Sequence, residues 1–331
     1  MERIIDGILF EGKVLDDTWN VTVWESANGH RETSARRAVA WQEIGPVTMP
    51  MSWDEYIAAA ESEEERNVRV AMRDAEVLEK QARARLRNAK RAKTTCRRKI
   101  KTAAFDELLT ITYRENQTDI ELFKRHFKEW VRRMRKALGG SFAYVSGFEP
   151  QERGAWHAHV SCHKLPKHAV FQKVKIAAWR LGTEVWRSIV GKDNGLVFVG
   201  GKTPMGLPRR ARMTCAKMAA YVSKYITKHA ELFPAEKNRY SSSEGIEPGK
   251  PYTMTFTGVQ TVFGVLGLAF DCRDGESVVS HQAHSAREGY WLVTEQDNPL
   301  SVDQPSSIYR VPRATCETAL AAWNRAAGQL F

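Results

Sequence analysis

The 331-residue sequence has only five cysteines, Cys96, Cys162, Cys215, Cys272 and Cys316, and no two of them form a C-x-x-C pair. An odd, scattered set argues against a disulfide framework and against a zinc ribbon, leaving reduced, mostly buried thiols as the expectation. Any metal is then expected on nitrogen and oxygen ligands, which favours magnesium or manganese, with zinc as the remaining choice. Long apolar runs are also missing. The most apolar stretch, Val262 to Phe270, is interrupted by glycine and falls short of the roughly 20 residues that a spanning helix needs, so it reads as a buried strand. Met1 to Gly7 lacks the basic start, apolar segment and small-residue cleavage site of a secretory signal, so the expected location is the cytosol and no membrane partner is anticipated. Glycine is absent where it would matter most for an ATPase. Gly201-Lys202-Thr203 ends like a P-loop, but the motif needs glycine five residues earlier, where Leu196 stands, and Pro204 follows where the helix should begin.

Acidic residues are missing between Glu79 and Asp106, while Arg83, Arg85, Arg87, Lys90, Arg91, Lys93, Arg97, Arg98, Lys99 and Lys101 crowd that interval. Such a run is often only a solvated face, but this density without compensating acids suits phosphate binding at least as well. The whole chain carries 50 Lys and Arg against 39 Asp and Glu, a formal charge of +11, which favours a polyanionic partner and nucleic acid first.

Periodicity organises the rest. Short β-like runs at Ile4 to Phe10 and Val21 to Trp24 precede Ser52-Trp-Asp-Glu55, which has the form of a capping box before a long helix, continuous or broken, toward residue 100. Phe105 to Tyr113 reads as a buried strand. Thr118-Asp-Ile-Glu121 is a second capping box, followed by Ile120, Phe123, Phe127, Trp130, Val131 and Met134 at helical spacing until Gly139-Gly140. Strands are expected over Ser141 to Phe148 and Trp156 to Cys162 around a turn at Pro150 to Gly154. A helix over about His168 to Val190 comes next, then a strand over Gly195 to Val199. After a basic loop with Pro204, Pro208, Arg209, Arg210 and Arg212, a helix carrying two tyrosines runs to about Leu232. Ser241 to Pro251 has linker composition; beyond it lie β-like runs at Tyr252 to Thr257 and Tyr290 to Thr294 and an amphipathic helix at Arg313 to Gln329. This order predicts an α+β fold, an antiparallel sheet of at least four strands with packed helices. Three parts are expected: residues 1–101 with a long basic helix, a central domain at 102–240, and an accessory region at 241–331.

Two segments carry the chemistry. In a strand, His157 and His159 face the same side while Ala158 turns inward, so both imidazoles can grip one ion. Glu149, ending the partner strand, is the expected carboxylate ligand, with Glu152 and His163 as rivals. Two histidines and one carboxylate leave coordination positions open, as in a Lewis-acid site. In a helix, Tyr221, Lys224, Tyr225 and Lys228 span about a third of the circumference, offering phenols as nucleophiles, each with a lysine three residues on. A tyrosine attacking phosphate forms a phosphotyrosine ester that conserves the bond for rejoining, and a second tyrosine one turn away permits a second cut. Each piece has a plainer explanation, since His-x-His strands and tyrosine pairs also arise from simple packing. Their conjunction is what points to phosphodiester transfer.

These residues resemble the HUH endonucleases, in particular the rolling-circle replication initiators typified by the replication gene A proteins of bacteriophages. Leu109-Thr110-Ile111-Thr112-Tyr113 is similar to the first family motif. Glu149-Pro150, Gly154 and His157-Ala158-His159 are similar to the second, and Tyr221 through Lys228 to the third. The resemblance covers about residues 105 to 232, with the small Ala158 as a minor departure. Tyrosine following the histidines is the order of replication initiators and the reverse of conjugative relaxases. The resemblance implies a metal-dependent enzyme in a bacterial host cytoplasm, with Mg2+ or Mn2+ on His157, His159 and Glu149. Tyr221 or Tyr225 would nick one strand of origin DNA, and Lys224 and Lys228 would support the phenols. It also implies a host helicase and polymerase as partners. A bi-tyrosine transposase of the same superfamily and a non-catalytic DNA-binding protein are the alternatives.

Overall fold

The computed structural model describes residues 1–26, 30–47, 51–202, 208–209, 214–228, 238–260, 265, 276–280 and 289–296. The chain opens with strands β1 (Glu2–Ile5), β2 (Ile8–Glu25) and β3 (Arg31–Pro46), then helices α1 (Trp53–Ala58) and α2 (Glu63–Ala103). Strand β4 (Glu107–Tyr113), helix α3 (Ile120–Ala137) and strands β5 (Tyr144–Pro150) and β6 (Trp156–Cys162) follow. Next come a hairpin of β7 (His168–Phe171) and β8 (Val174–Ala177), helix α4 (Ala178–Val190) and strand β9 (Gly195–Val199). The short strands β10 (Gly201–Lys202) and β11 (Pro208–Arg209) pair ahead of helix α5 (Cys215–Thr227). Strands β12 (Tyr240–Ser242), β13 (Tyr252–Phe256), β14 (Glu276–Ser280) and β15 (Gly289–Gln296) complete an α+β architecture with antiparallel sheets.

Two compact units result: residues 1–77 with 249–331, and residues 78–248. In the first, β1-β2-β3-β15-β14 form an antiparallel sheet and β13 pairs on β2. Its strands β2 and β3 are far longer than the short runs the sequence suggested, joined by register shifts at Leu9/Phe10 and Val14/Trp19 that let one strand pair bend. Trp19, Val21 and Val23 alternate inward and pack with Ala35 and Val265. The Ser52 capping box is present: its hydroxyl accepts from Glu55 N, and the Glu55 carboxylate accepts from Ser52 N. The helix it opens stops after six residues, and α2 runs 41 residues beyond.

The second unit is a five-stranded antiparallel sheet in the order β12-β5-β6-β4-β9, so β6 lies at its centre. Strands β5 and β6 are buried along their whole length because both faces are covered. On one face α3 and α4 pack their apolar stripes against Leu109, Ile111, Phe148, Ala158 and Val160. On the other, α5 and the end of α2 enclose Leu108 and Val145 with Cys96, Ile100, Met218, Val222 and Ile226.

Three expectations are corrected by the structure. The cap of α3 is Asp119 and not Thr118: its carboxylate accepts from Glu121 N and Leu122 N at 2.8 and 3.1 Å. Thr118 instead gives its carbonyl to Trp156 Nε1 at 2.9 Å. The helix expected from His168 begins only at Ala178, because Gln172 and Lys173 adopt positive φ (50° and 65°) and close a tight hairpin between β-branched segments. Helix α5 ends at Thr227, before Leu232. The buried strand expected at Val262 to Phe270, apart from the buried helical residue Val265, lies outside the described residues. So do the helix at Arg313 to Gln329 and most of the basic loop. Among the described residues, no helix is long and apolar enough to cross a membrane.

Candidate metal centre and tyrosine pair

Antiparallel pairing sets the site. Across β5 and β6, Glu149 stands opposite His157 and Gly147 opposite His159; across β4 and β6, Thr110 stands opposite His159. Strand alternation then sends Trp156, Ala158 and Val160 into the α3/α4 core and turns His157 and His159 to the α5 side. Their Nε2 atoms lie 3.0 Å apart, and Glu149 Oε2 is 3.4 Å from His157 Nε2 and 3.5 Å from His159 Nε2. The other carboxylate oxygen, Oε1, accepts from the Lys228 ammonium.

All three side chains are buried, which makes their protonation states consequential. Burial works to raise the Glu149 carboxyl. The hydrogen bonds from His157, His159 and Lys228 overcome it and hold the group well below the usual carboxylate range. Burial lowers His159 below the ordinary histidine value more than the Glu149 hydrogen bond raises it. Thr110 Oγ1 lies 3.2 Å from His159 Nδ1, and a proton held there leaves the Nε2 lone pair facing the carboxylate. His157 Nδ1 is buried without a hydrogen-bond partner.

Glu149, His157 and His159 present ligand atoms within 4.8 Å of one another, so the group can hold a metal ion. Two imidazole nitrogens and a carboxylate oxygen fit a borderline or hard divalent ion with coordination positions left for substrate and water. The free thiols Cys96, Cys162 and Cys215 are buried and take no part. Of the rival ligands, Glu152 is exposed in the turn, and His163 is exposed with its ring edge-on to Phe105 at 4.9 Å; neither joins the group.

Helix α5 delivers the phenols. Tyr225 stacks on His159 with ring centroids 4.2 Å apart and planes 22° from parallel, and Tyr221 meets the same imidazole edge-on at 5.3 Å. The two phenols touch each other at 5.1 Å and both are half-buried. Burial and a hydrogen bond with Tyr221 push the Tyr225 phenol well above the ordinary tyrosine value. Lys224 is exposed on the helix, its ammonium 6.0 Å from the Tyr225 ring centre. Lys228 departs from the expected helical face. It caps the helix in an extended conformation (φ −67°, ψ 132°), which carries its ammonium to Glu149 while staying 5.7 Å from the Tyr225 ring.

Two contributors carried no assigned role in the sequence reading. Thr110 holds His159 from the neighbouring strand. Gly147 lets α5 approach: a Cβ there would sit 2.9 Å from the Val222 carbonyl oxygen, so any side chain would push the tyrosine helix off the sheet. A glycine inside a strand pattern is the available signal for such close backbone contact.

The second unit is thus an α+β domain whose central strand presents a two-histidine, one-carboxylate group to a pair of helix phenols. Residues 106–230 match the family model of the replication-associated protein ORF2, which supports kinship with replication initiators. The matched segment is well under half of the chain, yet it includes all seven of these candidate residues. No curated protein sequence and no solved structure matches the chain.

Proposed function

We propose that the protein is a rolling-circle replication initiator, a metal-dependent HUH endonuclease and strand transferase. It nicks one strand of origin DNA through Tyr221 or Tyr225. The observation that carries this reading is the packing of both phenols on His159, a member of the only three-residue metal-capable group among the described residues. A Mg2+ or Mn2+ ion bound by His157, His159 and Glu149 would polarise the non-bridging phosphate oxygens. The chain's own residues do the rest. The phenol oxygen attacks phosphorus and loses its proton to solvent. The P–O3′ bond breaks, and the departing 3′-oxygen takes up a proton, giving a 5′-phosphotyrosine and a free 3′-OH for a host polymerase. Lys224, exposed beside Tyr225, suits the charge that accumulates on the phosphate. Lys228 fixes the Glu149 carboxylate and, through it, the ligand group. The second phenol repeats the attack to rejoin the displaced strand.

The basic half of α2 fits a grip on phosphates: Arg83, Arg87, Lys90 and Arg91 are exposed. In this reading residues 102–240 form the endonuclease domain, residues 1–101 and 241–331 assist it, a host helicase opens the duplex, and the work is done in the bacterial cytoplasm. Single-stranded origin DNA mixed with the protein and manganese should give a covalent protein–DNA adduct, lost in the Tyr221→Phe, Tyr225→Phe double variant. Undiminished adduct in that variant refutes the nucleophile assignment. Binding without any adduct in the wild type would favour a non-catalytic DNA-binding protein.

A further inference from the structure

On the sheet face opposite the tyrosines, a groove of about 840 Å³ runs between α3 and the β5–β12 edge. Its floor is aromatic, made by Phe127, Tyr144 and Phe148, whose rings interlock edge to face at 5.1 to 5.6 Å. Its wall is cationic. Lys124, Lys128 and Arg135 recur at i, i+4 and i+11, which places them within about 40° of one another around α3 and along roughly 16 Å of its length. Arg125 and Arg132 raise the lining to five cations against two carboxylates, Glu129 and Glu244. Glu129 is already engaged by Arg132 and Arg133 at 2.6 and 2.7 Å.

We infer that this groove binds single-stranded DNA as a second contact, away from the cleavage site on the other face of the sheet; the inference rests on the proposed action on DNA. The ligand that satisfies both surfaces has a line of negative charges on one side and flat apolar faces on the other. A single nucleic-acid strand has both, with phosphates for the row on α3 and unstacked bases for the aromatic floor. A duplex offers the phosphates but hides the base faces. Because β12 is the sheet edge, a strand held here lies beside the rim of the same sheet that carries the ligand group.

The test is fluorescence anisotropy of the full chain with labelled oligo-dT, titrated with salt. Lys124→Ala, Lys128→Ala should weaken binding by roughly tenfold and make the slope of log affinity against log salt shallower by about 1.4, the share of two phosphate contacts. The Lys124→Arg, Lys128→Arg variant should restore the slope. Lys173→Ala, Lys175→Ala, the same charge change on the exposed β7–β8 hairpin, should shift it less. An unchanged slope in the groove variant, or an equal shift from the hairpin variant, overturns the proposal. So does an equal loss of affinity for a duplex, or displacement of the DNA by poly-glutamate at matched charge. Adduct formation by the wild type is read separately: absent adduct with these binding shifts intact would strike the nicking mechanism and leave the groove standing.

Discussion

On one face of the five-stranded sheet, Leu109, Ile111, Ala158 and Val160 meet Phe127, Trp130, Leu181 and Trp186 in an apolar core; on the other, the same strands present Thr110, Glu149, His157 and His159. The faces differ because the strand period is two, so a single strand such as β6 serves packing and chemistry with alternate residues. The apolar face is closed in its polar accounting as well. Trp130 Nε1 donates to Gly182 O, Trp186 Nε1 to Thr112 O and Trp156 Nε1 to Thr118 O, all at 2.9 to 3.1 Å. The opposite face leaves its polar groups pointing at one another, with His157 Nδ1 unpartnered. A rigid, satisfied core behind β6 is what lets closely spaced ligand atoms stand in front of it.

The comparison can be broken from either side. The largest effect is expected from the packed face: Trp130→Ala removes a fully buried indole and its hydrogen bond, and should lower stability by about 3–5 kcal/mol. Thermal unfolding measures the loss, and manganese titration of the folded fraction should show unchanged affinity. A large fall in metal affinity there would mean that the two faces are not separable. A smaller and differently distributed effect is expected from Gly147→Ala. Its methyl would press on the Val222 carbonyl, destabilising by about 1–3 kcal/mol. By displacing α5 it should slow adduct formation about a hundredfold while metal affinity holds. Parallel loss of both would place Gly147 in the ligand group's own support instead of in the spacing of the helix.

Much of this face structure was legible in the residues themselves. The apolar spacing of α3 foretold Phe123, Phe127, Trp130, Val131 and Met134 as its buried stripe, and His-x-His over Ala158 foretold which way β6 turns. What escaped depended on contacts between distant segments or on backbone choices without a cue. The β7–β8 turn uses Gln172-Lys173 at positive φ, where the usual signal is asparagine or glycine, so a helix was the natural reading. Lys228 sits at helical spacing from Tyr225, and only its ion pair with Glu149, 79 residues away in sequence, accompanies the end of the helical turn there. Adjacent Thr118 and Asp119 are both competent caps; Trp156, brought in by the sheet, occupies the carbonyl of the first.

The central claim is that the ligand group on β6 and the phenols on α5 form one reaction centre. Mass spectrometry of peptides from a nicking reaction with single-stranded origin DNA and manganese tests it most directly. The expected result is a 5′-linked nucleotide on Tyr221 or Tyr225; a nucleotide on any other residue, or cleavage that leaves none attached, would contradict it.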